Sequence, residues 1–321
     1  MSARMSSRRE RSVRAGASLP GRQGGYILVL LSLLTVGLIL GLMQTLSGTR
    51  SRAAQDARTM QALQEAKEAL IASALTTDSL PGRLPCPEDI SRIGLSTEGS
   101  AGSCTNADMH IGRLPWRTLT LPQQADGTGE QLWYVLAPNF RQAPINSASV
   151  GKLTLNGQGN LAAIIIAPGP PLANQGRPIP TAAAPPLASD YLDGGNADGD
   201  LAFFTNPVDG NDRAIGVSVA ELTAPVARRV LAEIAGPNVN GQTPGTEPPR
   251  YGLRHYYAQT GNFPAQLDPG SLSIDPAASG WINSNGWWSL PVGYARTSNG
   301  ALLMFGPQTL LVKPCTLQPC P

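Results

Sequence analysis

Asp193, Asn196, Asp198 and Asp200, within the stretch DGGNADGD, are the residues whose types and spacing most suggest chemistry. Oxygen-bearing side chains alternate there with glycines, which lets a loop fold around a hard cation such as calcium. The pattern is not an EF-hand: its glycine is misplaced and no acid stands at the twelfth position. An Asx-rich turn, in which the same side chains bond their own backbone, is the competing interpretation. Structural calcium is therefore the one cofactor the residues suggest.

Cysteine chemistry is the next candidate. Cys86, Cys104, Cys315 and Cys320 make an even set, which in an exported domain implies disulfides. Of the three connectivities that four cysteines allow, the local pairs Cys86 with Cys104 and Cys315 with Cys320 are expected. Zinc is disfavoured, because there is no C-x-x-C and neither His110 nor His255 stands at ligand spacing from a cysteine pair.

Catalytic motifs are lacking. The chain has no G-x-S-x-G, H-E-x-x-H or G-x-x-x-x-G-K-[ST], and only two histidines to serve as general bases. The NGQGN around Gly157 and Gly159 lacks a dinucleotide site's third glycine and following helix, and reads as a turn. Trp287 and Trp288 could form an exposed adhesive or sugar-binding surface, although in a strand one of two neighbours faces inward. No enzymatic activity is expected.

These residues must be positioned by elements that composition already constrains. With 35 glycines, 29 prolines and 14% charged residues in 321, much of the chain is loop and turn, as suits an exported protein. Charge is uneven. Of 24 basic and 22 acidic residues, six arginines and one glutamate precede Gly25, leaving the remainder at −3 against the whole chain's +2. A basic end before an apolar run is a topological signal that keeps the N-terminus cytoplasmic, and a nucleic-acid arm is not expected.

From Tyr26 to Leu46 the chain runs 21 residues without a charge, long enough for a helix to span a hydrocarbon core of about 30 Å. It is longer than a signal peptide's apolar region and lacks the small-residue cleavage site. Beyond it, Ala53, Ala57, Met60, Leu63, Leu70 and Ala74 share one side at helical spacing, so the helix is expected to continue until Pro81-Gly82. Strands are expected at KLTLN, LAAIIIAP, QLWYVLA, PVGYAR and ALLMF. The Asn299-Gly300 pair suggests a type I′ hairpin between the last two. Val226, Val230 and Ile234 mark an amphipathic helix. The proline-rich spans 168–186 and 237–249 read as surface loops or a linker.

Several stretches resemble type IV pilins and the pseudopilins of type II secretion: the basic leader ending in Gly25 before Tyr26, the long apolar helix, EAKEALIASALTTDSLPGRLPCPED, GRLPWRTLTLP, GEQLWYVLAP, and SDYLDGGNADGDLAFFTNPVDGNDRAIGVSVAELTAPVARRVLAEI. Tyr256-Tyr257-Ala258 with Gly261-Asn262-Phe263-Pro264 is similar to the end of a pilin helix. The resemblance implies cleavage after Gly25 by a prepilin peptidase and a mature N-terminus at Tyr26, often methylated in that family. It departs from the family at Leu30, where most members carry a glutamate that pairs with a neighbour's terminal amine. Subunits at the tip of an assembly can lack that acid, so a minor or tip component is implied.

The expected architecture is α+β: a membrane-spanning N-terminal helix continuing into a pilin-like globular part with an antiparallel sheet, built as two related helix-plus-sheet modules. Its expected parts are leader 1–25, transmembrane helix 26–46, periplasmic extension 47–80, and modules 81–217 and 218–321. The expected location is the inner membrane, single pass, with the C-terminal part periplasmic or in an extracellular filament. The expected partners are the prepilin peptidase, other pilin or pseudopilin subunits, and the inner membrane. An uncleaved, signal-anchored binding or adhesion module is the alternative.

Overall fold

The computed structural model describes residues 24–77, 80–105, 107–206, 210–236, 251–268, 270, 272–290 and 292–314, with the side chains of 27 and 40–50 left aside. The leader up to residue 23, the 237–249 loop, Cys315 and Cys320 lie outside them. The chain forms two compact units, residues 1–53 and 54–321.

The described chain opens with helix α1 (Gly24–Thr76). In the first unit its described large apolar side chains from Tyr26 to Ile39 face solvent, from 52% exposed at Ile39 to 81% at Tyr26. Among the described residues, no helix is long and apolar enough to cross a membrane. This corrects the expected membrane-spanning helix at 26–46, and with it the single-pass inner-membrane location.

Within the second unit, α1 changes character. Thr59, Ala62, Leu63, Ala66, Leu70 and Ala74 are buried, a stripe with the 3.6-residue period of a helix packed on one side. Ala57 and Met60, expected on that stripe, face outward. The outer face is rich in strong helix formers, with Gln61 bonded to Glu65 and Gln64 to Glu68 one turn apart. After Thr76 the Gly82 N–H closes the helix end on the Ala74 carbonyl.

The first sheet comprises β1 (His110–Arg113), β2 (Trp133–Leu136), β3 (Leu153–Leu155), β4 (Gln158–Ala167), β5 (Ala202–Phe203) and β6 (Arg213–Ser218). Short helices α2 (Ala188–Tyr191) and α3 (Gly194–Ala197) precede β5. The order is β1-β2-β4-β3-β5, with β6 also on β4. Strand β4 organises the curl: its first part pairs with β3 and its second with β2, while β6 follows it from Leu161 to Ala167. The sheet is mixed, not antiparallel throughout, because β3 and β5 run parallel. Ile164, Ile165 and Ile166 are fully buried, as a β-branched run flanked by strands on both edges should be. The β3–β4 hairpin turns at Asn156 and Gly157, both at positive φ, as the NGQGN stretch suggests.

Helix α4 (Val219–Ala235) starts with a capping box, Ser218 and Glu221 each bonding the other's backbone N–H. Its first turn, Val219 and Leu222, belongs to the core under the first sheet. Val226, Val230 and Ile234 belong to a second core with Leu253, Trp281, Trp287, Leu303 and Phe305. That core is completed by α5 (Gly252–Thr260), α6 (Pro276–Ser284) and the antiparallel meander β7 (Gly293–Thr297), β8 (Gly300–Phe305) and β9 (Gln308–Val312). The β7–β8 turn consists of Ser298 and Asn299, with Gly300 already paired to Thr297. This corrects the type I′ expectation: Asn299 is not among the residues of positive φ, and Gly300 serves the close approach of β9, since a Cβ there would sit 2.2 Å from the Val312 carbonyl oxygen. Between the two cores, fully buried Asn285 accepts the Ile145 N–H at 2.8 Å, and its carbonyl accepts from Asn146 Nδ2 at 2.6 Å.

Candidate functional site

The acidic loop divides. Asp198 and Asp200 are exposed, and each bonds a backbone N–H two residues ahead, Asp200 and Ala202 respectively. Those are Asx turns. Asp193 and Asn196 point inward and are buried. Asn196 Oδ1 accepts the Phe204 N–H at 2.8 Å, and its Nδ2 donates to the Phe204 carbonyl and to Asp212 Oδ2. The four expected ligands therefore do not converge.

Asp212 takes the place of the outward pair. It sits at the approach to β6 and is completely buried. Its Oδ2 accepts the Asp193 N–H at 2.9 Å, while Asp193 Oδ2 accepts the N–H groups of Asn211 and Asp212, both at 2.8 Å. The two carboxylates thus clasp each other's backbone across 19 residues of chain. Burial pushes the Asp212 carboxyl up to about 7, helped by the neighbouring Asp193 charge and opposed by the Asn196 and Asp193 hydrogen bonds and the Arg177 guanidinium. Asp193 Oδ1, Asp212 Oδ1 and Asn211 Oδ1 are all buried without a hydrogen-bond partner. Among the described residues, no three His, Cys, Asp or Glu side chains gather as metal ligands do.

Arg177 ties the proline-rich span to this loop. Its guanidinium bonds the carbonyls of Gly169 and Tyr191 and the Gln175 side chain, pairs with Glu130 at 3.2 Å, and lies over the Tyr191 ring.

Cys86 and Cys104 are joined by a disulfide. Beside it, buried Glu88 accepts the Gly99 N–H at 2.7 Å and faces Arg113 at 3.3 Å, and Tyr134 donates its hydroxyl to the Pro85 carbonyl. Burial raises the Glu88 carboxyl above its ordinary value, the Arg113 charge opposing it. GRLPCP is thereby a structural corner. The tryptophans are no adhesive surface: Trp287 is fully buried and Trp288 packs against the same core.

His110 bonds the Thr105 carbonyl through Nε2 at 3.0 Å. An apolar hollow of about 360 Å³ beside Val219, Ala224, Leu290 and Phe305 has no titratable side chain in its lining. Gly25 lies in the first turns of α1, and Tyr26 and Leu30 project from it, both exposed. Sequence reasoning missed Asp212 and Asn211, although DGND carries the same Asx-glycine signature as DGGNADGD. No family model, curated protein or solved structure matches the chain.

Proposed function

We propose that this chain is a non-enzymatic, prepilin-like structural subunit, processed after Gly25 by a prepilin peptidase and assembled through the first part of α1 into a type IV pilus or type II secretion pseudopilus. The observation that carries this is the exposure of every described large apolar side chain from Tyr26 to Ile39. Consecutive residues Leu28 to Leu31 are among them, so the apolar surface encircles the helix instead of forming one stripe. Monomeric proteins rarely expose continuous apolar surface beyond a few hundred Å², and larger expanses mark interaction sites. Packing against like helices from other subunits removes that surface from water, which is the driving force of most protein association.

Leu30 supports a minor or tip position. An apolar side chain at that position offers no carboxylate to a neighbour's terminal amine, so the helix associates by packing alone. Such a subunit suits a minor or tip position, where no further subunit needs pairing. The mechanism is physical: removal of the leader frees Tyr26 as the N-terminus, and the helix enters the assembly without any covalent bond between subunits.

The test is the mass and N-terminal sequence of the chain recovered from cells with and without the prepilin peptidase. A start at Tyr26 that depends on the enzyme is expected. The same intact start in both strains would sink the proposal.

A further inference from the structure

Where the start of β2 meets the proline-rich span, a small hollow of about 150 Å³ is lined by Arg113, Glu130, Gln131, Trp133, Pro180 and Tyr191. Arg113 and Trp133 are register partners of β1 and β2, and Tyr191 ends α2. Two opposite charges share this lining without pairing with each other. The Arg113 side chain, 7% exposed, faces Glu88 at 3.3 Å and Glu98 at 3.6 Å, both beyond the usual N–H···O range of about 2.7–3.2 Å. Glu88 Oε2 accordingly lacks a hydrogen-bond partner. Glu130 is balanced by Arg177 at 3.2 Å, and its own N–H, bonded to Asp126 Oδ1 at 3.1 Å, fixes its place in the turn. The compensating charges thus come from Glu88, Glu98 and Arg177, outside the hollow. The Tyr191 hydroxyl lies in the field of both Glu130 and Arg113 and donates to the Pro178 carbonyl at 2.6 Å. Its ring packs 5.5 Å from that of Trp133.

We propose that this hollow binds one small α-amino acid as its zwitterion, the carboxylate on the Arg113 guanidinium, the ammonium on the Glu130 carboxylate, and the carbon skeleton against Trp133, Tyr191 and Pro180. A planar guanidinium offers donors in a fork that matches a carboxylate. An ammonium beside Glu130 also gains from the neighbouring aromatic ring. A ligand with one charge satisfies one pole and takes water from the other without replacing it, which is costly. Acetate and methylammonium are therefore disfavoured. Size sets the second limit: about 150 Å³ is about five water volumes at about 30 Å³ each, the scale of glycine or alanine. A bulky side chain is excluded because Trp133 is 2% exposed and packed in the first core. The site stands on this geometry and does not depend on the assembly role.

The full chain is titrated by calorimetry with glycine, L-alanine, L-tryptophan, sodium acetate and methylammonium chloride, and hydrogen exchange is compared with and without saturating glycine. The expected result is saturable binding of one glycine or alanine per chain, with slowed exchange at the amides of 129–134 and 189–192. Tryptophan, acetate and methylammonium are each expected to bind at least tenfold more weakly. Glu130→Gln is expected to weaken glycine binding at least tenfold, and Glu65→Gln, on the exposed face of α1, to bind like the parent. No saturable binding of glycine or alanine at millimolar concentration would overturn the proposal. So would acetate, methylammonium or tryptophan binding as tightly as glycine, or glycine binding unchanged in Glu130→Gln. If Glu130→Gln fails to fold, the exchange map of the parent decides: protection elsewhere, or none, overturns the site.

Discussion

One helix carries two kinds of leucine, and truncating each should have opposite consequences. Leu63 is fully buried against the first sheet, whereas Leu34 is 62% exposed. Leu63→Ala removes three carbons from a packed interior, and such changes cost about 2–5 kcal/mol depending on how far the site collapses. Neighbouring α1 positions are the small Ala62 and Ala66, which have no longer side chains to fill the space, so about 3 kcal/mol is a fair central value. For a unit of this size each kcal/mol lowers Tm by about 2–4 °C, giving a fall of roughly 6–12 °C. Leu34→Ala exchanges one good helix former for another on an exposed surface and should stay within about 0.5 kcal/mol, under 2 °C. Scanning fluorimetry of the full chain reads both, since Trp133 reports the first core and Trp287 the second. On the proposed assembly role, incorporation into filaments should show the reverse order: Leu34→Asp abolishes it with Tm unchanged, while Leu63→Ala lowers it only in proportion to folded protein. Equal Tm losses for the two alanine variants would refute the division of α1 into an interface and a core segment.

Two further perturbations follow from the interior. Replacing Cys86 and Cys104 with serine opens a loop of 18-residue separation, and the chain-entropy relation gives a loss of about 3 kcal/mol; identical denaturation midpoints for the double variant and the oxidised parent would contradict it. The buried Asp212 carboxyl, raised to about 7 chiefly by burial, binds its proton more tightly folded than unfolded. Its stabilising contribution is therefore complete below the ordinary aspartate range and is lost as pH rises through 7. The groups facing it are Asp193, which raises its affinity for the proton, and Arg177, which lowers it. Tm should fall by several degrees between pH 5 and pH 8, and Asp212→Asn should flatten that slope; a parent whose Tm rises across this range would exclude it.

What the sequence made legible was local. The β-branched run at Ile164 to Ile166 announces a buried strand, the four-residue spacing of Val226, Val230 and Ile234 announces a helix face, and Cys86 and Cys104 are near neighbours. What it concealed depends on partners distant in the chain. Strand β1 is HIGR, with little apolar alternation, and exists because each of its residues pairs with β2. Strand β6 alternates imperfectly because it lies along β4 at a point where the register shifts. The acidic loop shows the same effect most clearly. All four of its oxygen-bearing residues look alike in sequence, yet Asp193 turns inward to the backbone N–H groups of Asn211 and Asp212, 18 and 19 residues on, and Asn196 to the Phe204 backbone and the Asp212 carboxylate. The apolar run at the N-terminus was legible as apolar, and its described side chains face solvent.

The arrangement of the cores bears on how the second unit holds together. Helix α4 contributes its first turn to one core and its remaining turns to the other, and Asn285 fastens α6 to the segment at Ile145 and Asn146. Neither core is complete alone, so the two should lose structure together, as cooperative units that share an element do. The apolar side chains from Tyr26 to Ile39 contribute to neither core. On the proposed assembly role, their burial against a neighbour would be gained or lost without altering the contacts of either core, so the free energy of association would be separable from that of folding. The proposed subunit, which must wait unassembled, needs that separation. If the exposed helix had been part of the core, every unassembled chain would also be a partly unfolded one.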